Sequence, residues 1–394
     1  MYTHDVIILG SGPAGASAAY ALASRGMKVC ILEKERLPRY KTCGGGVQVK
    51  AANLLPFSID PVVERTVYGM QIGFGLKEPF LRYYEEPLIY MTMREQLDYH
   101  LTQQAVRMGA ELRDGIEVQS LSQDEDSVMA FWESERLKAR FLIGADGSKG
   151  ITARTFGLME GVRRIPAVEA EVDIAFSDGE TPLDCARIDW GTIREGYAWT
   201  FPKAKVLSIG AGTHPGGKPK AYYEQYQRIS LHHPNPFVHR LTGHPIPYRL
   251  PNMPVHCGRV LLAGDAAGLA DPFSGEGIFY AIRSGQLAAS VLYEEAGRRL
   301  PELERYTAAV EEALTPELEA GALLGVIFRM AGRQIHTALH YSDRVWTAFC
   351  RVMRGERTYS SLIKRMENPP PLMQFFSVAL RKARPAGSFP SQNH

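Results

Sequence analysis

The feature that most narrows what this chain can fold into is a three-glycine turn, Gly10-Ser11-Gly12-Pro13-Ala14-Gly15, set between an apolar run and a run of small residues. Residues 5–9 are β-branched and read as a strand, residues 16–24 have helical composition, and Gly26 supplies a stop. A second apolar run at 28–32 ends in Glu33, 18 residues beyond Gly15. Strand, glycine turn, helix, strand and terminal acid form the dinucleotide fingerprint in its required setting. Gly10 permits the tight turn, Gly12 admits a pyrophosphate against the backbone, Gly15 lets helix and strand close, and Glu33 accepts from ribose hydroxyls. The helix start around Pro13 and Ala14 turns free N–H groups and a positive dipole end toward the phosphates. Glu at position 33 argues against a 2′-phosphate on this ribose, which leaves FAD or NAD.

With 394 residues, 45 basic against 43 acidic side chains and 45% hydrophobic content, the chain is ordinary globular material for two or three domains; disorder and fibrous structure are excluded. Cys30, Cys43, Cys185, Cys257 and Cys350 have neither framework nor C-x-x-C spacing, so a reducing compartment fits and no metal site is indicated. His232, His233, His239 and His244 match no zinc pattern and read as loop histidines. Residues 6–24 are uncharged, but glycines and Pro13 interrupt them and no positive region precedes them, so neither a membrane span nor a signal peptide is expected there. The expectation is a cytoplasmic protein. Residues 329–394 carry eleven Lys or Arg against three acids, and the apolar stretch 372–380 runs into Arg381, Lys382 and Arg384. That combination suits peripheral contact with an anionic membrane, with packing on the body as the alternative; no nucleic-acid partner is expected.

Two further strand-to-turn segments bear on which nucleotide binds. One ends in Gly144-Ala145-Asp146-Gly147; the other ends in Ala263-Gly264-Asp265-Ala266-Ala267-Gly268 and continues through Pro272-Phe273-Ser274-Gly275-Glu276-Gly277-Ile278 into a helix-like run reaching Tyr293. An Asp at a strand's carboxyl end accepts from sugar or ribityl hydroxyls, and Gly275 and Gly277 let backbone N–H groups approach an electron-rich ring. Together with the first turn, these segments resemble the three flavin segments of the p-hydroxybenzoate hydroxylase-type superfamily, which includes aromatic hydroxylases, flavin halogenases and geranylgeranyl reductases. The resemblance frames roughly residues 1–290 and implies FAD. It places Glu33 on the adenosine ribose, Asp265 near the ribityl and pyrophosphate, and Gly275, Gly277 and Ile278 along the isoalloxazine edge, with Gly10, Gly12, Pro13, Ala14, Gly15, Lys34, Asp146, Gly147 and Gly264 as further cofactor contacts. Arg94 stands where these families place an arginine against the cofactor; as a bare sequence feature it reads equally as a surface arginine on an amphipathic helix.

Two segments select the branch. Cys43-Gly44-Gly45-Gly46 is similar to the cysteine–glycine loop of geranylgeranyl reductases, which implies cofactor contact for Cys43 and Gly44 and makes Cys43 the candidate proton donor; a small buried thiol is the alternative. Tyr197, Trp199 and Phe201 alternate before Pro202 and so share one strand face. They look like the Tyr-x-Trp-x-Phe-Pro substrate motif of the same enzymes, an aromatic sheet core being the alternative. Arg194 stands where relatives often have Pro, and could meet an anionic head group. The halogenase motif has Trp and Ile where this chain has Tyr197 and Phe201.

The expected fold is α/β, α+β overall: a Rossmann-like FAD-binding domain from residues 1–70, 91–160 and 255–295, a β-sheet substrate domain from 71–90 and 161–254, and a C-terminal helical region, 296–394. Thr315 is expected to cap a helix with Pro316 at its first position, and Leu318, Leu323, Val326, Ile327 and Met330 to form a packing stripe. The expected function is FAD-dependent reduction of C=C bonds in a geranylgeranyl or related chain, with electrons from NADPH, NADH or a ferredoxin-type carrier. The alternatives are a flavin monooxygenase of an apolar substrate and a non-catalytic prenyl-binding protein.

Overall fold

The computed structural model describes residues 3–191, 196–213, 216–231, 233, 236–298 and 300–367. Arg194, His232 and the tail at 372–384 lie outside them. The strand His4–Leu9 is central to a sheet ordered His256–Cys257, Val260–Leu262, Glu135–Gly144, His4–Leu9, Val29–Glu33, Glu111–Asp114. Its pairings with both neighbours are parallel, and Val6, Ile7 and Ile8 are fully buried because both faces are covered. Val6 and Ile8 pack toward Ala14, Ala18 and Leu22 of the helix Pro13–Ala23. Ile7 and Leu9 face the other way, with Val128, Ala130 and Trp132 of an antiparallel strand. The closeness of the helices depends on missing side chains. A Cβ on Gly15 would lie 1.9 Å from the Gly10 carbonyl oxygen, and one on Gly285, in the helix Ile278–Glu295, 2.3 Å from that of Ala14.

A second sheet of seven strands is ordered Val238–Tyr248, Arg163–Asp173, Val206–Gly212, Tyr197–Pro202, Cys185–Trp190, Gly69–Phe74, Lys77–Tyr83. Alternation divides its faces. Ala170, Ala198, Ile209 and Ala211 pack under Tyr222, Tyr223 and Tyr226 of the helix Pro219–Leu231. Glu169, Tyr197, Trp199 and Phe201 are left on the opposite face, toward the first sheet's strand ends. His239 and His244 are not loop residues as expected: they sit in the strand Val238–Tyr248, which carries Pro245 and Pro247. Edge position explains the tolerance, since an edge strand can forgo ladder donors.

Four helices close the described chain: Glu304–Ala313, Thr315–Tyr341, Asp343–Met353 and Tyr359–Glu367. Thr315 is not the cap but the first helical residue, and Leu314 precedes it without a side-chain cap. The expected packing stripe is also split. Leu318 and Ile327 are buried, whereas Met330 is 43% exposed and, with Leu318 and Val326, lines a cavity. The helix breaks at Ala331 (φ −129°, ψ 24°). Glu317 secures the start of the last helix by accepting the N–H groups of Tyr359 (2.7 Å) and Ser360 (3.1 Å), and the Tyr359 hydroxyl donates to Asp271 at 2.8 Å. Among the described residues no helix is long and apolar enough to cross a membrane.

Candidate cofactor site and the cavity beside it

The parallel strands end at a cavity of about 910 Å³. Gly10 turns there with φ +94°, and a Cβ on it would lie 2.4 Å from the Ala145 carbonyl oxygen; Gly12 has nothing within 4 Å of its Cβ position and leaves backbone open to the cavity. Pro13 and Ala14 begin the helix at this wall, and Lys34 lies exposed at the rim. Glu33 is buried at the end of its strand. One carboxylate oxygen accepts from the Ser11 amide (2.9 Å), the Ser11 hydroxyl (2.7 Å) and Arg39 (3.3 Å); the other accepts from the Glu35 amide at 3.1 Å. Burial alone would raise its pKa, but Arg39 and the Ser11 donors outweigh that and hold the carboxyl below its ordinary value.

Arg94 is not a surface residue. It is 8% exposed and grips the fully buried Asp98 through Nε (2.8 Å) and Nη2 (3.0 Å), while Arg39 reaches the same carboxylate at 2.8 Å. Burial opposes the ionised form of Asp98, yet the two guanidiniums hold its pKa down, and Asp98 in turn holds Arg94 charged. The Cys43 sulfur accepts from the Gly45 amide at 3.5 Å. Arg39 and Asp98 were missed in the sequence reading. The four-residue spacing of Arg94 and Asp98 on one helix was the available signal; Arg39 had none, because only tertiary structure brings it there.

At the third strand end, Asp146 spends one oxygen on the Thr152 amide and hydroxyl, both at 2.9 Å, leaving its other oxygen without a partner; Gly147 turns beside it with φ +77°. Asp265 follows Gly264 and faces His244 at 3.8 Å, and Lys41 approaches the same imidazole at 3.0 Å. Burial works against the charged form of Asp265, but His244 and Lys41 keep its pKa lowered. His244 reads from the sequence only as a loop histidine, and Lys41 is not singled out there. Gly275 (φ +69°) and Gly277 carry the chain to Ile278, where the helix begins.

The Cys43-Gly44-Gly45-Gly46 strap lies across the aromatic strand. A Cβ on Gly44 would be 2.9 Å from the Phe201 ring and 3.2 Å from Trp199 Nε1, and one on Gly45 2.1 Å from the Thr92 carbonyl oxygen. Trp199 spreads over Gly210, whose Cβ would fall 2.0 Å from the indole, and its buried Nε1 has no hydrogen-bond partner. The Tyr197 hydroxyl donates to the Ser274 carbonyl oxygen, closing the strand against the glycine loop. Pro202 is buried at the end of the strand. Beyond Tyr197 opens a second cavity of about 1330 Å³, walled by Phe74, Trp190, Phe273, Leu324, Phe328 and Phe349. The two cavities share Gln48, Ile188, Tyr197, Ala270, Ser274 and Met353.

A glycine-lined phosphate wall, a buried acid at the second strand end and an unpartnered carboxylate oxygen at the third fit FAD. Residues 3–187 match the family described as FAD binding domain. The chain is 30% identical to the geranylgeranyl diphosphate reductase of Rhodobacter capsulatus over 303 residues, covering 73% of this chain and 74% of the relative. It is 28% identical to digeranylgeranylglycerophospholipid reductase 1 of Methanopyrus kandleri over 322 residues, 74% and 80% of the two chains. Among solved structures, a geranylgeranyl bacteriochlorophyll reductase-like protein of Thermoplasma acidophilum superposes with a TM-score of 0.75 at 22% identity over 97% of this chain and 96% of the other. A flavin-dependent brominase reaches 0.73 at 18% identity over 89% and 93%, so the fold is shared with halogenating enzymes.

Proposed function

Because this chain belongs to the geranylgeranyl reductase family of FAD-dependent oxidoreductases, we propose that it saturates C=C bonds of a geranylgeranyl or related isoprenoid chain. The observation that carries this reading is the junction of the two cavities at Tyr197 and Ser274: a large apolar space opens onto the cofactor wall. An isolated alkene has no polar handle, so it must be held by shape and excluded water. Tyr197 would hold the chain where the cavities meet; Trp199 and Phe201, expected on the substrate face, line the cofactor cavity beneath the Gly44 strap instead, and Pro202 ends the strand. Gly10, Gly12, Gly15, Glu33, Arg94, Asp146, Gly147, Gly264, Asp265, Gly275, Gly277 and Ile278 would hold the cofactor.

When bound and reduced, FAD supplies hydride to one alkene carbon. The other carbon needs a proton, and Cys43 is the side chain of the strap able to donate one, its thiolate then recovering a proton from solvent. The division of labour follows the chain: 1–70, 91–160 and 255–295 for the cofactor, 71–90 and 161–254 for the substrate face, and the helices after 296 for the outer wall of the apolar cavity.

Dithionite reduction of the purified yellow protein without oxygen, followed by geranylgeraniol or geranylgeranyl diphosphate, tests this. Mass spectrometry should show products heavier by pairs of hydrogens. Oxygenated product formed only in air would overturn the assignment in favour of a monooxygenase.

A further inference from the structure

The apolar cavity has a charged rim. Arg344, Arg357 and Arg365, from the last two helices and the turn between them, all line it, and Arg344 and Arg365 are exposed. Two acids of these segments are already engaged: Glu356 meets Arg354 at 2.5 Å and Arg351 at 3.6 Å, and Glu86 also pairs with Arg354; Glu319, which also lines the cavity, is exposed. Among the described residues Arg344, Arg357 and Arg365 have no ion pair. At the other rim, beside Tyr248 and Pro251, Arg249 is neutralised by Glu311 at 2.9 Å.

Resting on the reductase reading, we propose that Arg344, Arg357 and Arg365 bind the phosphate-bearing head of the substrate while its prenyl tail fills the cavity toward Tyr197. Three guanidiniums beside one apolar mouth repel one another unless an anion sits among them, and phosphate oxygens suit their forked donors. Burial and then Arg365, Arg351 and Arg344 lower the pKa of Arg357, as crowding of like charge requires. The arrangement selects a tail ending in phosphate, carried by a free diphosphate or a phospholipid, over the same tail ending in a neutral group.

The test is equilibrium binding to the oxidised FAD-loaded full chain. Its probes are geranylgeranyl diphosphate, a diether phosphatidic acid with geranylgeranyl tails, geranylgeraniol and inorganic pyrophosphate. The native protein should bind one of the phosphate lipids at least tenfold more tightly than geranylgeraniol, and whichever binds tighter identifies the carrier. In R344Q/R357Q/R365Q, and more weakly in R357E alone, that ratio should fall toward one, and R357K should restore part of it. A native ratio near one, an unaltered ratio in the folded triple variant, or displacement of neither phosphate lipid by pyrophosphate overturns the proposal. If geranylgeraniol and both phosphate lipids fail to bind and none is reduced, the reductase reading itself has failed.

Discussion

The two cavities are built by opposite means. The cofactor wall is mainly backbone at strand ends, supplied by short segments around residues 10–15, 144–147 and 264–278, and its shape depends on the absence of Cβ atoms. The apolar cavity is built of side chains from strands near 74, 165 and 190, the loop at 273 and helices from 315 onward. A site of the first kind has no room for a side chain at Gly10 or Gly15, where a Cβ would strike a backbone carbonyl. One of the second kind can be resized residue by residue, which lets one fold serve reductases and halogenases alike.

The sharpest way to break that contrast is Gly15→Ala. Its Cβ would fall 1.9 Å from the Gly10 carbonyl oxygen, so the variant should purify colourless or insoluble, judged by flavin absorbance per protein. Asp98→Ala should rank next. Removing the carboxylate leaves Arg94 buried and uncompensated and Arg39 with only Glu33 at 3.3 Å, a loss of about 3–5 kcal/mol in urea unfolding. The pH sign follows from the lowered pKa of Asp98. Its contribution is present above the unfolded value near 3.8 and disappears as pH falls through the lower folded value, so Asp98→Asn should flatten the acid limb of stability.

Cys43→Ala addresses the strap. If the thiol is the proton donor, kcat should fall by about a hundredfold while flavin content and KM change little; undiminished turnover would remove Cys43 from the chemistry. The mildest test enters the apolar cavity. A Cβ on Gly325 would meet only the Phe273 ring, at 3.9 Å, so Gly325→Leu should fill space there, lower kcat/KM for a geranylgeranyl substrate by about tenfold, and leave the yellow colour intact. Equal loss of flavin would show that the two cavities are not separable.

The difference in construction also explains what could be read in advance. Gly10, Gly15 and Glu33 lie on one strand–turn–helix–strand unit, so their spacing alone implies their roles. The alternation of Tyr197, Trp199 and Phe201 likewise announces a shared face, and the Tyr-x-Trp-x-Phe-Pro pattern its likeness to known reductases. His244 and Arg39 carry no such signal. His244 reaches Asp265 from an edge strand whose prolines look like turns, and Arg39 meets Asp98 from 59 residues away. The stripe from Leu318 to Met330 has the same periodicity whether it packs against a neighbour or walls an empty space.

What the sequence determined by itself is therefore the cofactor end: local backbone geometry, encoded within a few residues wherever a side chain would collide with a phosphate or a neighbouring strand. Only the tertiary structure decided that Tyr197 stands where the cofactor cavity meets one of about 1330 Å³ and that Arg344, Arg357 and Arg365 line the rim of the latter. Enclosed volume is a property of distant segments meeting, and no spacing along the chain records it.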